Sequence, residues 1–445
     1  MSQQEIDKFS WEVENKKIKE KENNEVEEFK LIIDKLYDIN LDSKYVNRNY
    51  KEIKKKIEYI LEKNVNSTSD IHKKLFYFLY LPPDNDKAVL EKPDWLDMEK
   101  FEKGQQFARD NLAAIFLGQF YGLMSLHCDR DGLQTLIMTQ KSHTPYLAFK
   151  RYLDTAECLR NWFTGNPWCE DTKSHKDILK VRKMHLNVRR KLEETDKMKI
   201  REISTINNPY CPFFRPIVED FSTKMPKDPI TDYWYEKYRQ SGDLPTTKRR
   251  SINQMDLSYT LFGFMGFIVL YPSYFGIHEN VDENLENFCY LWRCLAYLLG
   301  VNDEINMCYG NLEEIRKRCQ DYIDEMVKPA LRRVNPEYEH MIRCIIQGHR
   351  YFLITPSFET MLLLFADLLD LEMPTFYSSL TFYQRITFYF TKYSIRLLMK
   401  YKFLRDRATK FLNKSIDKAL NYDCAKMAEL KAKSMRSPLH VTVGN

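Results

Sequence analysis

Residues 107–128 read FARDNLAAIFLGQFYGLMSLHC, and laid on a helix this stretch is apolar nearly all the way round. A helix without a polar face has to be covered on every side, so it belongs to a core. The run LSYTLFGFMGFIVLYPSYFGI (257–277) is comparably apolar. It reaches membrane-spanning length only by accepting Ser, several Tyr and an internal Pro272, so a second core helix is the reading preferred here. The stretches 147–165, closed by Gly165 and Pro167, and NLENFCYLWRCLAYLLGVND (284–303) carry further helical patterns. Gly is scarce (13 of 445 residues), which disfavours a sandwich or barrel with its frequent glycine turns. The expected fold is all-α, with nothing in the chain requiring a strand.

Three regions follow from these patterns. Residues 1–89 are a polar, helix-prone N-terminal extension that ends in the proline connector LPPDNDKAVLEKPDW (81–95). Residues 90–350 form the core, interrupted by a Pro-rich loop at 203–253 that holds six of the seventeen prolines. A loop that long inside a compact body tends to serve or wrap a site. Residues 351–445 are C-terminal helices packed on the core. Their basic, aromatic stretch FYQRITFYFTKYSIRLLMKYKFLRDRATKFLNK (382–414) reads as a terminal helix pair with its lysines in water. Its alternative is a helix lying on a bilayer surface.

Several function classes are disfavoured. The net charge of +5 is small for this length, which argues against a dedicated nucleic-acid binder. There is no GxGxxG, Walker loop, GxSxG or HExxH. The ten cysteines include no CxxC pair, so a zinc site of the usual spacing is not expected. The first residues lack the apolar core of a secretory signal. Free thiols in the cell interior are the expectation, cytoplasmic, with peripheral contact to a membrane such as the ER left open. One ExxH occurs, Glu337 to His340, whereas a di-iron bundle needs two.

The remaining candidates lie around KDILKVRKMHLNVRRKLEE (176–194). On a helix, Ile178, Val181, Val188 and Leu192 fall within about 60° of His185, and Arg182 and Arg189 lie about 40–60° to its other side. The imidazole therefore sits between a buried stripe and a two-arginine rim. It reads either as a satisfied helix histidine or as a ligand. Arg151 and Thr155, one turn apart with Asp154 beside them, and Asn253, Asp256 and Thr260 at the start of the most apolar helix need partners. They form either a buried hydrogen-bond network or the lining of a binding site.

Taken in order, PDW (93–95), GQ (104–105), R-x3-T (Arg151, Thr155), R-x2-H-x3-R (Arg182, His185, Arg189), NQMDLSYTLFGF and LWRCLAYLLGV resemble one family. It is the catalytic domain shared by rubber oxygenases (latex-clearing proteins) and a fungal ER-bound oxygenase that shortens a prenyl chain. The likeness spans roughly residues 90–320. It implies a globin-like helical core holding haem b, with His185 as proximal ligand of the iron and Arg182 and Arg189 at the haem propionates. It also implies distal or pocket-lining places for Arg151, Thr155 and Thr260, and oxidative cleavage of an isoprenoid C=C bond by O2. Two departures stand out. The family's iron-capping lysine is replaced by Asp154, which would act as a base, accept a hydrogen bond or pair with Arg151. The family's catalytic glutamate has no equivalent in GLQTLIMTQ (132–140). With no export signal, a small intracellular lipid or terpenoid is the expected substrate; haem or lipid binding without turnover, on a peripherally membrane-associated protein, is the alternative.

Overall fold

In the computed structural model of the 445-residue chain, residues 91–224 and 252–443 are described, and they belong to one compact unit. The N-terminal extension before residue 91 and the second half of the Pro-rich stretch lie outside the described residues. The first helices are α1 (Met98–Asp110), α2 (Leu112–Cys128), α3 (Arg130–Met138), α4 (Pro145–Thr164), α5 (Lys173–Glu194), α6 (Lys197–Ile203) and α7 (Phe214–Lys224). Then come α8 (Gln254–Leu270), α9 (Val281–Leu298), α10 (Leu312–Tyr322), α11 (Lys328–Leu331) and α12 (Pro336–His349). The C-terminal helices are α13 (Phe358–Leu368), α14 (Pro374–Ser379), α15 (Phe382–Lys400), α16 (Lys402–Leu420) and α17 (Cys424–Met435). The protein is all-α; among the described residues the sole extended pairing is an isolated bridge between Ile206 and Val443.

The two helices without a polar face, α2 and α8, pack against each other at the centre. Their backbones touch where Gly122 meets Gly263: a Cβ on Gly122 would stand 1.9 Å from the Gly263 carbonyl oxygen. The same device recurs at the other two extensive helix pairs. Gly104 of α1 lies against the Asn287 carbonyl of α9, and Gly348 of α12 against the Pro145 carbonyl of α4. Such close approach lets apolar helices bury their surfaces with no void between them.

The crossing gives a testable contrast. Gly122→Ala should cost about 3 kcal/mol, because the new methyl meets backbone that cannot rotate away. At Gly263 the added Cβ meets the tip of Leu126 at 2.5 Å, a side chain that can move. Alanine also favours helix over glycine by up to about 1 kcal/mol. Gly263→Ala should therefore come out near neutral. Equal losses in thermal unfolding of the two variants would show that the crossing is not this tight.

Part of the Pro-rich stretch departs from the expected loop. Phe214–Lys224 is helical because Pro216 falls in the first turn, where a missing N–H costs nothing. The buried Asp220 of α7 accepts hydrogen bonds from the backbone N–H groups of Thr375 (3.1 Å) and Phe376 (2.7 Å), tying α7 to the start of α14. Gly165 ends α4 as expected, but in extended rather than left-handed backbone, with its N–H on the Asn161 carbonyl at 2.8 Å. The run 257–277 is a buried helix only to Leu270; Pro272 opens a 3-10 turn. Among the described residues no helix is long and apolar enough to cross a membrane.

Candidate functional site

Helix α5 begins at Thr172, whose hydroxyl accepts from the His175 N–H at 3.1 Å. Its apolar stripe faces inward: Ile178 is fully buried, and Leu192 with Val188 packs on Met138 of α3 and Ile200 and Ile203 of α6. Arg182 and Arg189 are buried rather than rim-exposed, at 6% and 7%. His185 lies between them along the helix. Surrounding protein strips its hydration, and the Arg151 guanidinium adds a repulsive charge, so its pKa is pushed down to about 4. Part of its surface is nonetheless covered by nothing. Both observations hold for a side chain lining a recess. Its Nδ1 is sealed from water without a hydrogen-bond partner, an arrangement that costs about 1–3 kcal/mol.

Arg151 comes from α4, which packs on α5. Its Nη1 donates to the buried Ser142 hydroxyl at 3.3 Å. The same guanidinium acts on a second buried imidazole, His127, in the last turn of α2. There Nδ1–H donates to the Leu123 carbonyl at 2.7 Å, which leaves Nε2 an acceptor with no donor to meet. Burial first, and Arg151 after it, bring the His127 pKa to about 4 despite that carbonyl. The structure thus groups His185, Arg151 and His127 from three helices. Sequence reasoning set His127 aside as a lone histidine. The signal was available, since an imidazole ending an otherwise apolar helix must find partners.

The other matched positions are placed differently. Thr155 donates its hydroxyl to the Arg151 carbonyl (2.9 Å) and Thr260 donates to the Asp256 carbonyl (2.7 Å), so both protons are spent within their own helices. Asp154 is exposed on α4, so neither expected role, pairing with Arg151 or acting on a buried substrate, fits its position. Asn253 and Asp256 form a reciprocal cap at the start of α8. Gln254 donates to the Gly300 carbonyl and accepts from the Asn302 N–H, both at 2.8 Å, and Ser258 donates to the Ile305 carbonyl at 2.7 Å. For this set the hydrogen-bond network is the outcome.

Several other motif residues are also clamps. Gln105 Nε2 donates to the Trp162 and Gly165 carbonyls, joining α1 to the end of α4. The Arg293 guanidinium stacks 3.9 Å from the Trp95 ring centre and pairs with Asp303 at 2.5 Å. His340 of the ExxH pair spends both nitrogens on backbone: Nδ1 accepts from Tyr210 N–H (2.9 Å) and Nε2 faces the His143 carbonyl (3.0 Å). Its neighbour Glu339 shares Arg343 with Glu359, each at 2.8 Å.

Among the described residues no group of three or more His, Cys, Asp or Glu side chains is arranged to hold a metal ion. A metal carried inside a prosthetic group needs only one side-chain ligand, and an uncharged imidazole is the form that ligates. His185 meets that requirement, with two buried guanidiniums on its own helix to face carboxylates.

No family model and no curated protein matches the chain. Among solved structures, one of latex clearing protein in the closed state aligns with a TM-score of 0.44 and 15% identity, over 81% of this chain and 89% of that one.

Proposed function

We propose that the chain is a haem b-dependent oxygenase that acts with O2 on an apolar, unsaturated substrate of isoprenoid or lipid type. One observation carries the reading: the uncharged His185 lines a recess, with its Nδ1 sealed off and unpartnered. In this reading His185 holds the iron, and Arg182 and Arg189, one turn to either side, meet the propionate carboxylates. Bound haem would supply the oxygen chemistry. The protein's own residues keep the reaction dry through the apolar faces of α2 and α8, and keep a fixed positive charge, Arg151, beside the imidazoles. That charge suits oxygen atoms that become negative as they react.

A second reading, a haem- or lipid-binding protein without turnover, is favoured by one specific observation. At the matched positions the hydroxyl protons of Thr155 and Thr260 are already used and Asp154 is exposed, so none of the three is a poised acid or base. The test has two stages. Haemin titrated into the purified full-length protein should give a stoichiometric complex with an intense Soret band; no uptake would overturn both readings. The loaded protein is then incubated with a polyprenyl alkene, reductant and O2. New aldehyde or ketone products support the oxygenase, and their absence leaves the carrier.

A further inference from the structure

Helix α15 is amphipathic the wrong way round for a helix that merely rests on a core. Its inward side packs on α13 and on the Pro272–Phe275 turn, through residues such as Phe388 and Met399. On the opposite side Phe382, Ile386, Tyr389, Phe390, Tyr393 and Leu397 share a sector of about 100°, and each is between 46% and 80% exposed. So much contiguous apolar surface in water marks a contact site. The charges around it are also one-sided. Residues 382–420 hold ten lysines and arginines against two aspartates, in a chain whose net charge is only +5. Arg396 and Lys400 flank the apolar sector, and the outward side of α16 carries Arg407, Lys410, Lys414 and Lys418, all exposed, beside exposed Phe403 and Phe411.

We infer that α15 and α16 dock the protein on an anionic lipid surface, with the aromatic sector of α15 entering the headgroup boundary and the α16 cations meeting lipid phosphates and carboxylates. Tyr and Phe suit that boundary because one end of the ring system is apolar and, in Tyr, the other is wet. A stripe of aromatics followed by a basic face is the composition of an in-plane helix. A second copy of the chain is a poorer occupant. A two-fold interface would place this strongly positive region against itself, and like charges facing each other oppose association. The inference does not depend on whether the chain takes haem.

The test uses the full-length protein with vesicles of phosphatidylcholine alone or with about one third phosphatidylserine. The protein should sediment with the anionic vesicles only, and about 0.5 M salt should release it. The double substitution Ile386→Ser/Phe390→Ser and, separately, Lys410→Glu/Lys414→Glu should each weaken binding about tenfold or more, with the circular dichroism spectrum unchanged. In a Phe390→Trp variant, tryptophan emission should shift to the blue when anionic vesicles are added. Failure to bind anionic vesicles would overturn the inference. So would binding that neither double variant weakens, or a concentration-dependent dimer that Ile386→Ser/Phe390→Ser dissociates.

Discussion

Acidification from pH 6.5 to about 4 is expected to unfold the protein well before its carboxylates are titrated. His127, His340 and His349 are buried uncharged, each with its pKa lowered from 6.5 to about 4. Burial is the leading cause in all three, with Arg151 adding to it at His127, and His143 and Arg343 at His340. His349 sits in an aromatic cage, its ring centre 5.8 Å from those of Tyr152 and Phe352 and 6.0 Å from Phe120. Between those pH values the unfolded chain binds protons that the native state refuses. Stability is therefore full above pH 6.5, falls as the pH drops towards 4, and levels off below. Each imidazole can contribute a loss of up to about 3 kcal/mol over that window. Three together rival the roughly 5–15 kcal/mol that holds a typical domain. His349→Met should move the acid midpoint to lower pH, since methionine fills an apolar cage without titrating. A thermal midpoint that stays constant from pH 7 to 5 would show that these histidines are not buried uncharged.

His185→Ala should abolish haemin uptake. Removing even a supporting partner of a metal ligand costs about 10–100-fold in affinity, so loss of the ligand itself should cost about a hundredfold or more. The Soret band of the titrated protein is the readout, and added imidazole should restore it by entering the space the side chain leaves. That rescue separates ligation from a packing role, because a histidine needed only for packing would not be replaced by free imidazole with a ligand's spectrum. His127→Ala should keep the Soret band. A His185→Ala protein that takes up haemin with the native spectrum would remove the basis for the oxygenase reading; if His127→Ala loses the band instead, the iron ligand has been misassigned between the two imidazoles.

The helices were legible from residue pattern alone. An apolar circumference on 107–128 and 257–270, and a single apolar stripe on 176–194, admit few other local structures. Helix starts were legible where a side chain supplies the missing acceptor, as Asn253 and Asp256 do for α8. The helical part of the Pro-rich stretch was not, because proline forbids a helix interior but suits a first turn, and counting prolines does not separate the two.

The periodicity of α5 by itself determined that His185 stands between an apolar stripe and two arginines. It could not determine that both arginines are buried, or that His127, 58 positions earlier in the chain, feels the same Arg151 charge. Nor could it decide that Asp154 faces solvent while Arg151, three residues away, turns to Ser142. The physical reason is range. Periodicity and capping are set within one or two turns of a single helix, whereas burial, the loss of a hydrogen-bond partner and the pull of a distant charge depend on which other helices close over the residue. The outward aromatic sector of α15 is the plainest case: the sequence carries two apolar faces on one helix, and only the packing of α13 and the Pro272–Phe275 turn against one of them leaves the other in water.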